Sequence, residues 1–240
     1  MVAKITENGG VCMKCIWLGQ GGLLFEFDGI TVMVDPYFSD SASALGPEYK
    51  RRIAVDSRFF DEKIDILILT HNHIDHTDPE TLEIILNKNQ GVCVLAARHA
   101  WDFVRKYGNK NNYVMIESGT EWTQGELLFQ AVHAQHSDEN AIGMLISYQN
   151  KTFYITGDTL YHPKVIEDVR KLEKKIDVMF VPINGVGNNV NMVDAVRLAH
   201  GVNAKKIVPI HFGLFDDIDP TKEFICPNSV IPEFYKEIPL

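Results

Sequence analysis

The spacing of apolar positions along the chain changes repeatedly between a strand pattern and a helix pattern. Short apolar runs bounded by glycine, proline or asparagine are typical of strands. Near the beginning, CIWLG, GLLFEF and ITVMV have this pattern, and Asp28-Gly29 between the last two is a strong signal for a hairpin turn. The run IDILILT predicts a buried strand that ends at Thr70. The first part of the chain is therefore predicted to be rich in strands.

Helical spacing enters after residue 78 and then alternates with strands. DPETLEIILNK predicts a helix with Asp78 as its N-cap and Pro79 at its first position. Further helices are predicted for ARHAWDFVRKYG, HPKVIEDVRKLE and NMVDAVRLAHG, with one or two short helices in the tail. Residues 39–57 are polar and irregular and predict a long loop, a feature that is often functional. A turn is predicted at Asn150-Lys151 between two strands.

The order of these elements indicates a loose duplication. Each half of the chain begins with strands and finishes with alternating helices and strands. We therefore expect an α/β (α+β) fold in which two sheets pack face to face with helices outside, a four-layer αββα sandwich. No linker rich in proline, glycine or serine divides the chain, so one domain over residues 1–240 is predicted.

Composition and charge narrow the classes of function. With 240 residues, 45% of them hydrophobic, the chain can bury a sizeable core, but it contains no apolar run of the length of a membrane span. A formal net charge of −9 disfavours binding to nucleic acid or to anionic membranes. The first ten residues lack the apolar region of a signal peptide, so a cytoplasmic location is expected.

The cysteines do not predict a structural metal site. Cys12 and Cys15 form a C-x-x-C pair, whereas a zinc ribbon needs a second pair, which the sequence lacks. The pair leads into a strand instead of opening a helix, which disfavours a thioredoxin-type motif. We expect ordinary reduced thiols.

Ligand-type side chains concentrate in THNHIDHTD, residues 70–78, directly after the strand IDILILT. A polar loop after a strand is the simplest interpretation. However, His71 and His73 are separated by a single residue, so their side chains point the same way in an extended segment. A tight turn then brings Asp75 and His76 alongside. Imidazole and carboxylate suit zinc, manganese or iron, and four donors so close in sequence fit two neighbouring ions better than one.

A two-metal centre needs further ligands, and three predicted strands supply them at their ends. These residues are His136, Asp158 and His211. Ligands on loops at one edge of a sheet are the expected layout for a site. His133 competes with His136, and we favour His136 because it lies where the strand gives way to SDEN.

These residues together resemble the signature of the metallo-β-lactamase superfamily. The motif His71-x-His73-x-Asp75-His76 matches its main motif, and WLGQGGLLFEFDGITVMVDP resembles its opening strands. Within the superfamily, the chain is most similar to the L-ascorbate-6-phosphate lactonase group. Stretches that carry this similarity include WLGQGG, ITGDTLY, IDVMFVPING and NMVDAVRLAHGVNAKKIVPIHFG.

The resemblance implies a ligand set for two divalent ions, zinc or manganese first, with iron as a further option. Three histidines would hold the first ion: His71, His73 and His136. The second ion would be held by Asp75, His76 and His211, with Asp158 bridging. A bridging hydroxide would attack a small lactone or ester, including a phosphorylated one. Asp75 and Asp158 are the catalytic candidates, and Asp75 would orient the hydroxide or pass on its proton.

Other polar residues have both a structural and a functional interpretation. Tyr161 and His162 follow Asp158, and Asn184 follows a buried strand, so these three are candidate substrate contacts. His162 before Pro163 equally suits a helix start, and Asn184 equally suits a turn. His99 and His200 lie in predicted helices away from the motifs and are interpreted as structural. The glycines of WLGQGG precede a strand, so they predict close backbone packing near the site and no dinucleotide fingerprint.

Three alternatives to a lactonase remain. Related superfamily members cleave phosphodiesters with the same metal ligands. A di-iron redox protein is the second alternative, but flavodiiron proteins generally carry an acidic residue where His73 stands, which favours hydrolysis. The third is a non-catalytic metal-binding module. The expected partner is a small-molecule substrate, which includes an anionic one. Binding to nucleic acid or to a membrane is not expected. A homo-oligomer is compatible with the sequence.

Overall fold

The computed structural model describes residues 13–240, and Cys12, with the C-x-x-C pair it would form, lies outside the described residues. Within residues 13–240, the strands form two six-stranded sheets. The first sheet contains β1 Met13–Gly19, β2 Gly22–Phe27, β3 Ile30–Val34, β4 Ile66–Leu69, β5 Cys93–Ala97 and β6 Asn112–Ile116. The second contains β7 Glu121–Gln124, β8 Leu127–His133, β9 Ile142–Tyr148, β10 Lys151–Ile155, β11 Val178–Pro182 and β12 Lys206–Ile210.

Among the described residues, four helices lie between the later strands of each half, and a short fifth helix follows the last strand. They are α1 Pro79–Lys88, α2 Arg98–Val104, α3 Pro163–Lys171, α4 Met192–Gly201 and the short α5 Pro220–Glu223. Asp78 caps α1 by accepting from the backbone N–H groups of Glu80 and Thr81, as its sequence position predicts. In the part of the chain that is described, no helix has both the length and the apolar character needed to cross a bilayer.

The two sheets repeat one pattern of strand pairing. In the first sheet, β1, β2 and β3 pair antiparallel, and β3 to β6 pair parallel. In the second sheet, β7 to β10 pair antiparallel, and β10, β11 and β12 pair parallel. Each half therefore begins with hairpins and finishes with helical crossovers, which agrees with the duplication that the element order indicates.

Alternating side chains place a layer on both faces of each sheet. In β4, Ile66 and Ile68 belong to the core cluster shared with the second sheet, whereas Leu67 and Leu69 belong to the cluster that contains α1 and α2 residues. Residues of α3 and α4, such as Val165 and Leu198, pack on the second sheet. The predicted αββα sandwich is confirmed.

One local prediction is refined and one needs correction. The predicted long loop over residues 39–57 lies between β3 and β4 and contains 3-10 turns at Ser41–Ala44 and Pro47–Tyr49, and a third, Ser57–Phe60, begins at its end. Such turns need only three or four residues, so they leave no periodic apolar pattern. The turn between β9 and β10 lies at Gln149 and Asn150, one residue earlier than predicted, and Gln149 adopts a positive φ of 52° there.

The two sheets meet closely at the edge where β4, β8, β10 and β12 end. The backbone N–H of Ile142 donates to the carbonyl of Thr70 at 3.1 Å, and that of His211 donates to the carbonyl of Gln20 at 3.1 Å. These bonds join the loops of one sheet to those of the other. The loops that follow the strand ends are therefore held at one common edge.

Candidate metal centre

All seven predicted ligands lie together at this edge, in two groups of donor atoms. Within each group, one ligand atom per residue lies within 4.8 Å of the others. The first group consists of His71, His73, His136 and Asp158, and the second of Asp75, His76 and His211. The structure thus brings together residues from four separate loops, and these residues can hold a metal.

His71 follows β4 directly and is completely buried. The hydroxyl of Thr70 donates to Asp35 Oδ2 at 2.5 Å, so its oxygen is free to accept the Nδ1–H of His71 at 3.0 Å. This leaves a lone pair on His71 Nε2, an atom without a hydrogen-bond partner among the described residues. Burial lowers the pKa of His71 well below its ordinary value, with a further contribution from His76. His71 is therefore a neutral imidazole with its lone pair directed into the group.

His73 and His136 face one another across the first group. His136 Nε2 lies 3.1 Å from His73 Nδ1, and the remaining ring nitrogens face Ser137 Oγ at 3.1 Å and the carbonyl of Asn188 at 3.2 Å. Because a carbonyl only accepts, His136 carries its hydrogen on Nδ1 and a lone pair on Nε2. Burial lowers the pKa of His136 as well. A cation beside these nitrogens would bind the lone pair of His136 Nε2, and that of His73 Nδ1 when His73 carries its hydrogen on Nε2.

The second group has more carboxylates around it, because Asp35 and Asp158 of the first group lie beside His76. His76 Nδ1–H donates to Asp35 Oδ2 at 2.8 Å, so Nε2 points inward, 3.4 Å from Asp158 Oδ1 and 3.3 Å from His211 Nε2. Burial works to lower the pKa of His76, but Asp158, Asp75 and Asp35 raise it well above its ordinary value. Burial also works to lower the pKa of His211, but the carboxylates, Asp158 first, raise that pKa to about 10.

The carboxylates beside these imidazoles, Asp75 of the second group and Asp158 of the first, show the complementary effect. Burial works to raise the pKa of Asp75, but His76 and His211 hold it well below its usual range. Asp158 is lowered in the same way, by His211 and His76. Protonated imidazoles thus neutralise these carboxylates when no metal is present, and a divalent cation would replace those protons.

The donor set fits a cation on three counts. His71 Nε2 is buried without a partner, His73 and His136 direct nitrogens at one another, and the carboxylate of Asp158 lies within 3.9 Å of four imidazoles. Nitrogen and carboxylate oxygen are the ligands that zinc, manganese and iron accept. The residues present therefore fit the metal that the sequence motif implies.

Backbone conformation at this edge is unusual and leaves no room for larger side chains. Gln20, Asp35 and His211 have positive φ values of 45°, 41° and 61°, a region that residues other than glycine seldom adopt. A Cβ on Gly21 would lie 2.5 Å from the ring of His76, and one on Gly157 would lie 2.5 Å from the carbonyl of Ile142. Gly21 explains the glycine-rich WLGQGG by close packing against the site, as the sequence predicts.

Three buried residues hold the ligands in place, and the sequence reasoning did not name them as site residues. Gln20 Nε2 donates to Asp75 Oδ2 at 2.9 Å, Asn189 Nδ2 donates to Asp158 Oδ2 at 2.8 Å, and Asp35 accepts from His76. Such partners fix the orientation of metal ligands. Gln20 and Asp35 share one signal that could have found them, because each is a polar residue at the end of an apolar strand.

His99 is nearer to the site than its sequence position predicts. Its Nδ1 lies 2.8 Å from Asp138 Oδ1, and Asp138 Oδ2 accepts from the backbone N–H of Asn72 at 3.0 Å. Asn72 separates His71 from His73, so His99 contacts the residue that holds this loop. The interpretation of His99 as remote from the motifs was wrong, because the start of α2 lies at the same sheet edge as the loop after β4. His200 lies exposed at the end of α4.

The structure separates the three candidate substrate contacts. Asn184 lines the cavity beside the second group, and its side-chain amide lies 3.1 Å from His211 Nδ1. The ring of Tyr161 packs under the guanidinium of Arg197 at 4.2 Å, and His162 Nδ1 accepts from the N–H of Lys164 as the N-cap of α3. Tyr161 and His162 do not line this cavity, because the chain turns away into α3 directly after the Asp158 loop, and their role as substrate contacts stays a prediction.

A cavity of about 590 Å³ opens above the ligand groups. Its floor contains His73, Asp75, Asp158 and His211, and its wall contains apolar side chains from both halves of the molecule. A volume of this size accommodates a small organic molecule. The geometry therefore combines a potential metal centre with a cavity for a small ligand.

Comparison with known proteins identifies the family. The model of the β-lactamase superfamily domain matches residues 31–212. The chain belongs to the metallo-β-lactamase superfamily. A UPF0173 metal-dependent hydrolase from Staphylococcus saprophyticus is 30% identical to it over 229 residues, which cover 88% of this chain and 91% of that protein. The predicted superfamily membership is confirmed, and the lactonase-like subgroup stays a prediction.

Solved structures of the metallo-β-lactamase superfamily fold carry more than one chemistry. An isothiocyanate hydrolase from Delia radicum gut bacteria aligns with a TM-score of 0.73 at 17% identity, covering 95% of this chain and 99% of that chain. CmlA, a diiron β-hydroxylase from Streptomyces venezuelae, aligns with a TM-score of 0.74 at 16% identity, covering 95% and 54%. These similarities show the fold, and the fold alone does not distinguish hydrolysis from oxygen chemistry.

Proposed function

We propose that this protein is a metal-dependent hydrolase with a binuclear centre that acts on a small lactone or ester. The position of Asp158 carries the proposal. Its Oδ1 lies 3.4 Å from His76 Nε2, and its Oδ2 lies 3.3 Å from His211 Nε2. The same Oδ2 lies 3.9 Å from the Nε2 atoms of His71 and His136. One carboxylate between two imidazole groups suits a ligand shared by two neighbouring ions.

The donor chemistry suggests which residues would hold each ion. His71, His73 and His136 would hold the first, Asp75, His76 and His211 the second, and Asp158 both. Zinc or manganese suits this mixture of imidazole and carboxylate, and iron is the further option. When bound, two such ions would polarise a carbonyl and lower the pKa of a water molecule towards neutrality.

The protein's own groups would supply orientation. Asp75 lines the cavity and is 16% exposed, and its low pKa keeps it ionised. An ionised Asp75 would accept a hydrogen bond from a water molecule on the cavity side, while Gln20 holds its Oδ2. Burial of the remaining groups excludes bulk water from the floor, which strengthens every electrostatic interaction there.

Two observations support hydrolysis over the redox alternative. The relative with 30% identity is a metal-dependent hydrolase by name. In addition, the first group offers three imidazoles and one carboxylate, with His73 at the position where flavodiiron proteins generally carry an acidic residue. A phosphodiester remains the second candidate substrate, since two metals also suit phosphoryl transfer.

The test is a substrate panel on protein of measured metal content. Protein loaded separately with zinc, manganese or iron is assayed against lactones, esters, thioesters and phosphodiesters, and oxygen uptake is followed with and without a reductant. We expect hydrolysis of at least one lactone or ester without any reductant, and about two ions per chain. Reductant-dependent oxygen uptake with no hydrolysis across the panel would overturn the proposal.

A further inference from the structure

Among residues 13–240, the charged side chains that line the wall of the cavity are acidic. Glu48 and Asp216 line the cavity beyond its floor, and no lysine or arginine is among its lining residues within 13–240. Two arginines follow Glu48 in sequence, but they are held elsewhere. Arg51 donates to the carbonyl of Tyr37 and to the hydroxyl of Tyr235, and Arg52 forms an ion pair with Asp217. The described part of the chain therefore places no side-chain cation in the wall for a substrate.

The rest of the lining combines amide side chains with apolar ones, and the apolar part contains exposed side chains. Leu45 is 66% exposed and comes from the segment between β3 and β4, and Val186 is 64% exposed and comes from the segment between β11 and α4. The rings of Tyr49 and Phe215, which also line the cavity, meet edge to face with their centroids 6.1 Å apart. Phe215 and Ile74 pack against a small buried cluster under the wall. The two halves of the molecule thus each place an exposed apolar residue at one cavity.

We propose that this cavity selects substrates whose substituent on the reacting lactone or ester is uncharged and apolar, and that it disfavours a phosphorylated substituent. The inference rests on the proposed function, because it concerns the substrate of the same site. A substituent that extends from the floor towards the mouth contacts Leu45, Val186 and the Tyr49–Phe215 pair.

The physical reason is the difference between water and the cavity wall as surroundings for the substituent. Apolar surface gains free energy when it leaves water for the wall. A phosphoryl group would lose hydration beside Glu48 and Asp216 without gaining a cationic partner, and like charges at short distance repel. The charge pattern of the wall therefore favours the unphosphorylated members of the proposed substrate class.

A series of γ-lactones tests the apolar part of the proposal. The series carries unbranched side chains of zero to six carbons, with one member phosphorylated at the end of the chain. On metal-loaded wild type, we expect kcat/KM to rise about threefold for each added methylene. The double variant Leu45→Ser, Val186→Ser should flatten this dependence, whereas Ile225→Ser should preserve it, since Ile225 is 89% exposed and does not line the cavity.

The charge part is tested with Glu48→Gln. We expect the wild type to process the phosphorylated lactone at least tenfold less efficiently than the uncharged lactone of equal length, an estimate for unscreened like charges near a cavity wall. Glu48→Gln should narrow this ratio severalfold. Glu83→Gln, on the exposed face of α1, removes the same charge away from the cavity and should leave the ratio unchanged. Asp216 is kept, because its Oδ1 accepts from the N–H groups of Gly213 and Ile218.

Binding of unreactive lactam analogues separates this inference from the proposed function. Calorimetry on the metal-loaded protein measures their affinities whether or not any lactone is hydrolysed. Affinity that rises with chain length and falls on phosphorylation supports the inference even if turnover is absent and the hydrolase proposal fails. Equal affinities across the series, or a preference for the phosphorylated member, would overturn the inference even if hydrolysis is confirmed.

Discussion

The two edges of the β-sandwich use aspartates in opposite ways. At the edge where strands end, Asp35 follows β3 and Asp158 comes shortly after β10. At the edge where parallel strands begin, Asp65 precedes β4 and Asp177 precedes β11. Asp158 and Asp177 are each 5% exposed. The same residue type at similar burial thus occurs at both ends of the fold.

The opposite edge shows one arrangement repeated in both halves. Asp65 Oδ2 accepts from the N–H of Thr31 at 2.9 Å, and Asp177 Oδ2 accepts from the N–H of Thr152 at 3.0 Å. In return, the backbone N–H of each aspartate donates to the carbonyl of the same threonine. These carboxylates receive backbone donors and tie neighbouring parallel strands together. Asp177 also forms an ion pair with Lys205.

The difference lies in the partners that the carboxylates face. Asp158 faces imidazole nitrogens and an asparagine amide, and Asp35 holds the ring of His76. Buried imidazole nitrogens with free lone pairs at one edge indicate a site, whereas backbone donors at the other edge indicate stability. Burial of an aspartate is therefore uninformative until its partners are known.

Removal of the metal should have the largest effect of the changes considered, and its origin should be the edge that carries the ligand groups. Chelation should abolish hydrolysis, and it should lower the melting temperature because an ion that binds only the folded state stabilises it. At about a thousandfold excess over Kd, the loss is about 4 kcal/mol. Calorimetry and activity on the same samples measure both effects. Full activity in verified metal-free protein would refute the proposed function, and an unchanged melting temperature would refute the linkage.

Asp158→Ala should lower kcat by about a thousandfold or more, since it removes the carboxylate proposed to be shared by two ions. The fold should survive, because Asp158 lies beyond the strand end. Steady-state kinetics, circular dichroism and metal content are the measurements. Asp177→Ala is the matched control at the opposite edge and should keep its activity and metal content. Equal activities for the two variants would remove the functional contrast between the edges.

Asp35→Asn should have an intermediate effect. The oxygens of Asp35 accept from His76 Nδ1 at 2.8 Å and from the backbone N–H and the hydroxyl of Thr70. In the variant, the amide nitrogen of the asparagine would face one of these donors and could not accept its hydrogen bond. Partners of this kind are worth about 10- to 100-fold in metal affinity or activity. Competition with a metal-sensitive dye measures affinity. Asp65→Asn provides the control, and a similar loss of affinity in that variant would contradict the prediction.

Asp177→Asn should have the smallest effect, on stability alone. Burial works to raise the pKa of Asp177, but Lys205 and the N–H of Thr152 lower it below its ordinary value. A lowered pKa means that the stabilisation exists above about pH 4 and is lost as pH falls through the folded-state pKa. We expect the variant to lose about 1 kcal/mol at pH 7 and less below pH 4.

Urea unfolding of the wild type and of Asp177→Asn across this pH range provides the measurement. A difference that grows as the solution becomes more acidic would reverse the assigned sign. Unchanged kcat/KM at pH 7 is expected throughout, because Asp177 lies at the edge opposite the metal-ligand groups.

The sequence predicted the ligand set more completely than it predicted the surroundings of the site. His71, His73, Asp75 and His76 are close in sequence, so their grouping needs little tertiary information. His136, Asp158 and His211 were recognised by their position after strands and by resemblance, and the structure places them with the others. Gln20 and Asn189 were missed because their roles depend on contacts between segments distant in sequence.

Local pattern by itself determined the strands, the main helices, the hairpin at Asp28-Gly29 and the cap at Asp78. These features depend on periodicity and on neighbours within a few residues, which the sequence displays directly. The αββα layering also followed, because strands that are apolar on both faces require a covering layer on each side.

Tertiary structure alone decided which side chains face the site. Tyr161 and His162 are near Asp158 in sequence but turn away with α3, whereas His99 approaches through Asp138 from another loop. The cavity wall combines Leu45 with Val186, which are far apart in the sequence. Such contacts depend on how the strand ends of the two sheets meet in space. The pattern of residues along the chain does not give the distances between residues that are far apart in sequence.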